Sequence, residues 1–171
     1  SFRMAHTGDC ILLNYRVKEE SVRAIAAEDN GRVWEDSCCE FFFQLPEDQE
    51  ENVYYNFECN CGGTLLIGGG RPGDRPHAPQ EILQQVDRWT SLGKAPFEER
   101  MGECSWQLAL CIPKEAFFRH QLKGFKGLTA RANFYKCGDL QNTPHFLSWN
   151  PIDLPKPCFH CPEFFGKVIF E

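Results

Sequence analysis

Two stretches decide the fold: Cys38-Cys39-Glu40-Phe41-Phe42-Phe43-Gln44-Leu45 and Val53-Tyr54-Tyr55-Asn56-Phe57-Glu58-Cys59-Asn60-Cys61. An acidic turn marked by Glu47–Glu51 separates them. In the first, Cys39, Phe41, Phe43 and Leu45 share one side, and Cys38, Glu40, Phe42 and Gln44 share the other. In the second, Val53, Tyr55, Phe57, Cys59 and Cys61 alternate with Asn52, Tyr54, Asn56, Glu58 and Asn60. A period of two, carried by aromatic and β-branched residues between turn residues, is the pattern of a β-strand.

The same period recurs outward along the chain. Ile11, Leu13, Tyr15 and Val17 alternate with Leu12, Asn14 and Arg16. Trp106, Leu108, Leu110 and Ile112 alternate with Ser105, Gln107, Ala109 and Cys111. Ala130, Ala132 and Phe134 alternate with Arg131, Asn133 and Tyr135, and Phe146–Trp149 and Lys167–Phe170 are shorter candidates. Pro113-Lys114-Glu115-Ala116-Phe117-Phe118 is the one helical stretch, with Pro suited to a first turn. Gly68–Pro79 and Asp153–Pro157 read as loops, the former as a surface loop within one domain. Many strands with almost no helix predict an all-β fold. It is expected to be an antiparallel β-sandwich, immunoglobulin-like or jelly-roll in type, with one short helix and a single domain over residues 1–171.

The chain has 171 residues, 42% apolar and 25% charged, ordinary values for a globular protein. Fifteen Phe suit a sandwich with an aromatic core. No apolar run approaches the roughly 20 residues a membrane helix needs. The net charge of −6 with no basic stripe argues against nucleic acid as a partner. The chain opens at Ser1-Phe2-Arg3-Met4 without a charged-then-apolar leader, the picture that a cleaved signal peptide would also leave. Ten Cys do not settle the redox compartment.

Opposite the apolar faces lies a polar one: Glu40 on one strand, Asn56 and Glu58 on a second, Arg131, Asn133 and Tyr135 on a third. Side by side, these would form a patch of carboxylate, amide, phenol and guanidinium suited to a polyhydroxylated ligand. A solvated outer sheet face would show the same alternation.

A further set of blocks bears on that choice. Val33-Trp34-Glu35-Asp36-Ser37-Cys38-Cys39-Glu40-Phe41-Phe42-Phe43 joins a Trp, an acidic cluster with Ser, and a Glu opening an apolar strand. Arg131–Asp139, Phe146–Pro151 and Phe159-His160-Cys161-Pro162-Glu163-Phe164-Phe165-Gly166 follow in order. Together they resemble carbohydrate-binding module family 9, whose members are often attached to xylanases. The resemblance is weak before Ala26 and across Gly68–Arg100. It implies a non-catalytic sandwich that holds a mono- or oligosaccharide between two aromatic rings and serves polysaccharide degradation. It further implies a secreted, periplasmic or cell-surface setting, with a glycoside hydrolase in the same chain or pathway.

Carried over by residue, the resemblance makes Trp34 the first ring and Glu40 the sugar-binding acid. Asn56 or, by a slip of alignment, Glu58 is a polar ligand, and Tyr135 a further contact. Phe159 is the second ring, where a family member carries Trp, and His160 beside it is a rim donor. No cofactor is required. Structural calcium is known in the family, and Asp36, Asp139 and Asp153 are its loop candidates here.

Other chemistries use the same residues. Glu35, Asp36, Glu40 and Glu58 could supply the two carboxyls of a glycoside hydrolase, although no residue context marks a raised pKa. Cys59-x-Cys61 and Cys158-Phe159-His160-Cys161 are candidate zinc or thiol motifs, but Cys59 and Cys61 share the apolar side of a strand. Cys158 and Cys161 could bridge in an exported chain. A haem-binding sandwich would need axial ligands such as His145, His160, Met4 or Met101. Trp106 belongs with the core, Trp34 with a charged loop, Trp149 with either core or rim, and Trp89 is uninformative.

Overall fold

The computed structural model describes all 171 residues. Ten strands form: β1 (Phe2–His6), β2 (Cys10–Ala24), β3 (Cys38–Gln44), β4 (Tyr54–Asn60), β5 (Leu65–Gly70), β6 (Asp87–Thr90), β7 (Phe97–Pro113), β8 (Thr129–Cys137), β9 (Phe146–Ser148) and β10 (Gly166–Ile169). One sheet has the order β1-β2-β7-β6 and the other β10-β8-β3-β4-β5, with β9 pairing the end of β8. Every pairing is antiparallel. The protein is an all-β sandwich.

The apolar faces meet in a 29-residue cluster drawn from both sheets. Phe41 lies at its middle, with ring centroids 5.2 Å from Phe134 and 6.0 Å from Phe57. Burying each such ring stabilises the fold by about 1.5–3 kcal/mol. Trp106 is buried here, as are Cys59 and Cys61, which act as small apolar residues.

Several expectations need correction. The helical stretch at Pro113–Phe118 is only a 3-10 turn, Lys114–Ala116, while the α-helical turn α1 falls at Gln80–Leu83. Strands β1, β5 and β6 carry too little alternation to be read beforehand. Gly68–Gly70, expected in a loop, is the end of a buried strand. Its residues are small because neighbours fill the space: a Cβ on Gly68 would stand 2.6 Å from Asn56 Oδ1, and one on Gly69 2.8 Å from the Tyr55 ring. Trp149 is exposed and packs edge-on to Phe134 and Phe2, away from the site described below.

The largest correction concerns the second sheet. Its far face is neither solvated nor wholly polar: every residue of β3 and β4 is buried. The segment carrying Ile152, Phe159 and Phe165 folds over it, and Phe42, Tyr54, Tyr135 and Phe165 form a second small core. Arg131 and Asn133, expected in a ligand patch, hold this segment in place. Arg131 donates to the carbonyls of Glu163 and Phe165, and Asn133 donates through Nδ2 to the Asn150 carbonyl and accepts at Oδ1 from the Asn150 N–H.

Candidate functional site

Between the covering segment and the sheet edge lies a cleft of about 480 Å³. Trp34, Glu40, Asn56, Glu58, Phe159 and His160 all line it. Of the seven residues singled out from the sequence, only Tyr135 is absent from its walls.

Register explains why the polar residues converge. Glu40 on β3 stands directly opposite Glu58 on β4, and Phe42 opposite Asn56. Directly opposed side chains have Cβ atoms about 4.5–5.5 Å apart, so two carboxyls share the cleft floor. Asn56 Nδ2 donates to Glu58 Oε1 at 2.8 Å. Glu40 has a single side-chain partner, the weak donor Cys137 Sγ at 3.0 Å. Both carboxyls are almost fully buried without a basic side chain bonded to either. Burial pushes Glu58 up to about 7, against the opposing pull of Asn56 and Arg75. Burial first, then Cys137 and Glu58, hold Glu40 well above the usual carboxylate range. Here the expectation of ordinary acids is overturned, because sequence alternation does not reveal that this face is covered.

Trp34 sits in the 3-10 turn Val33–Glu35 at the mouth of β3. The turn is tied down by backbone bonds from Asp139 N–H to the Trp34 carbonyl and from Leu140 N–H to the Glu35 carbonyl. Beneath it Asp36 accepts from Arg23 Nε, the Ile25 and Ala26 amides and Asn60 Nδ2. With four donors on its oxygens, this carboxylate anchors the turn. Trp34 and Phe159 pack against one small apolar cluster of Val33, Cys38, Leu66 and Cys137.

Tyr135 lies behind Phe159 instead of facing the cleft. Their rings stack at 4.1 Å, nearly parallel, and the Tyr135 hydroxyl donates to the Phe159 carbonyl at 3.1 Å. Its expected role as a ligand contact becomes that of a buttress. His160, exposed as a residue, lays its ring against Phe42 at 4.9 Å and pairs with the Tyr54 hydroxyl through Nδ1 at 2.9 Å. Enclosure of the ring, with Arg75 nearby, lowers its pKa to about 4, so it is neutral at neutral pH.

Arg75 is a cleft residue that sequence reading missed. From the loop after β5 it stacks on the Tyr54 ring at 3.7 Å and donates to the Tyr54 and Gly70 carbonyls and to Asn56 Oδ1. It thereby fixes the amide so that Nδ2 faces Glu58. Nothing in a Gly/Pro-rich loop marks which cation turns inward. Cys137 and Asp139, at the end of the Arg131–Asp139 block, also line the cleft.

The candidates for other chemistry are dispersed. His145 pairs with Lys136 and Glu19 in a separate cleft of about 590 Å³ beside Trp149. Met101 is exposed on β7. Cys158 and Cys161 flank Phe159 and His160, with sulfurs 3.0 Å apart. Glu40 and Glu58 rise from one floor, whereas glycoside hydrolysis calls for carboxyls flanking the scissile bond. No helix is long and apolar enough to cross a membrane.

Comparison with known proteins bears on the family and the fold. The profile of carbohydrate-binding family 9 matches residues 1–170. A Bacteroides uniformis protein to which carbohydrate binding is ascribed superposes with a TM-score of 0.96 and is 60% identical, over 99% of this chain and 77% of that one. A family 9 module from Caldicellulosiruptor kristjanssonii, solved with glucose, has the same fold at a TM-score of 0.61 and 12% identity, over 99% of this chain and 75% of that one. No curated protein matches the chain.

Proposed function

The chain belongs to carbohydrate-binding family 9, and on that premise we propose that the cleft walled by Trp34 and Phe159 binds a mono- or oligosaccharide without cleaving it. The observation that carries this reading is the pair of buried carboxyls, Glu40 and Glu58, at the floor of a partly aromatic cleft. A sugar ring has apolar C–H faces and an equator of hydroxyls. The Trp34 indole and the face of Phe159 opposite Tyr135 would take the C–H faces out of water. Each desolvated hydroxyl must then regain a hydrogen bond or lose about 1–3 kcal/mol. Glu40, Glu58 and Asn56 offer acceptors and a donor at that level, and His160 stands at the rim.

In this reading the protein works outside the cell, beside glycoside hydrolases acting on a polysaccharide such as xylan. Glucose, the sugar in the Caldicellulosiruptor complex, is the first probe. Calorimetric titration with glucose, xylose and their short oligomers should give saturable binding in the millimolar to micromolar range, about −4 to −8 kcal/mol. Trp34→Ala should abolish it while leaving the thermal midpoint nearly unchanged, because the indole is only partly buried. Equal binding by the variant would overturn the clamp, and a large loss of stability would make Trp34 a structural residue.

A further inference from the structure

One cluster at the cleft floor has a chemistry that sugar recognition does not require. Cys38 and Cys137 occupy directly opposed positions on β3 and β8. Glu40 lies two residues from Cys38, so all three side chains leave the same face of the sheet. Cys38 Sγ, Cys137 Sγ and a Glu40 carboxyl oxygen all lie within 4.8 Å of one another, and all three residues are buried. No other group of three or more His, Cys, Asp or Glu side chains converges in this way. Glu40 and Cys137 line the cleft, while Cys38 sits behind them.

We propose that Cys38, Cys137 and Glu40 form a binding site for a thiophilic divalent cation, zinc above all, whose occupancy competes with sugar for Glu40. The separations suit a tetrahedral ion with Zn–S near 2.3 Å and Zn–O near 2.0–2.2 Å. Two sulfurs and one oxygen leave a fourth position open toward the cleft, as for a water. The donor set excludes calcium and magnesium, which take oxygen ligands. Glu40 is buried, and its one side-chain partner is the Cys137 thiol, with no basic group bonded to it when ionised. A dication supplies the missing positive charge.

The balance is simple. Two thiols and one carboxylic acid lose three protons to solvent, two Zn–S bonds and one Zn–O bond form, and no electrons move. Affinity therefore rises with pH. The metal half of the inference stands on geometry alone. The competition half rests on Glu40 being the sugar acid.

The test uses the full reduced chain with Co2+ as probe. One equivalent should produce a thiolate-to-cobalt charge-transfer band, displaced by Zn2+. Cys38→Ser and Cys137→Ser should each weaken binding by at least about a hundredfold, beyond the roughly 10- to 100-fold cost of losing an outer-sphere partner. Cys158→Ser, at the exposed thiol nearby, should leave the band intact. No band, or a band surviving both substitutions, would overturn the site. Should the Ser variants not fold, X-ray absorption of the zinc-loaded wild type decides: two sulfur scatterers with oxygen are expected, and four sulfurs or none would refute it. Glucose should bind the zinc-loaded protein at least about tenfold more weakly than the metal-free protein. Equal affinity would overturn the competition. Failure of glucose to bind either form would instead refute the sugar reading and leave the cobalt result standing.

Discussion

Glu58→Gln isolates what the cleft costs the fold. Glu58 is 4% exposed, and burial pushes its carboxyl from the ordinary 4.5 up to about 7. The folded chain therefore keeps this proton to higher pH than the unfolded chain does. The sign follows: stability from this group is fully present below about pH 4.5 and is lost as pH rises through about 7. At about 1.4 kcal/mol per pH unit, the folded state loses about 2.5 kcal/mol between pH 5 and pH 8. Gln has the shape of the protonated acid, keeps an acceptor for Asn56 Nδ2 and cannot ionise. The variant should thus gain on the wild type by about 2.5 kcal/mol over that interval, or about 5–10 °C in thermal midpoint for a chain of this size. Urea unfolding at both pH values measures it. A difference between variant and wild type that stays constant within about 0.5 kcal/mol would refute the reasoning. If Glu58 accepts sugar hydroxyls as a carboxylate, the same variant should bind glucose more weakly, a case of function held at the expense of stability.

Three further outcomes follow from the same contacts. Tyr135→Phe keeps the 4.1 Å stack but removes the hydroxyl that holds the Phe159 carbonyl; calorimetry should show glucose affinity reduced roughly 3- to 10-fold, the worth of one hydrogen bond, and unchanged affinity would detach Tyr135 from the site. Arg75→Met frees the Asn56 amide and should lower glucose affinity about tenfold or more, with an intact circular dichroism spectrum; a shift in stability alone would assign Arg75 to the fold. Asp36→Ala strands Arg23 and two backbone amides and should cost about 3–5 kcal/mol in urea unfolding, whereas a loss below about 1 kcal/mol would contradict the role given to this anchor.

The strands legible in the sequence are those with one apolar and one mixed face. β3, β4, the second half of β7, and β8 all show the alternation that a half-buried surface imposes. β5 was hidden because its Gly68–Gly70 end is shaped by side chains reaching in from β4, and glycine runs look like loops. The polar face was legible as residues but not as an environment. Alternation distinguishes two faces but cannot tell whether a distant segment covers one. The covering segment from Asn150 to Phe165 turned Tyr135 into a support, and burial raised the pKa of Glu58. Trp34, Glu40 and Phe159 come from blocks whose order the sequence shows, and all three line one cleft, although the path of the segment that carries Phe159 is set by its packing over the sheet. Arg75 could not, since a long loop's path is decided by tertiary packing against Tyr54.

The account turns on whether a sugar ring occupies the cleft above Glu58. A crystal of the protein soaked with glucose measures this most directly. The account predicts a pyranose between Trp34 and Phe159, with hydroxyls about 2.6–3.2 Å from Glu40, Asn56 and Glu58. Sugar bound instead in the cleft beside Trp149, with the floor between Glu40 and Glu58 vacant, would contradict it.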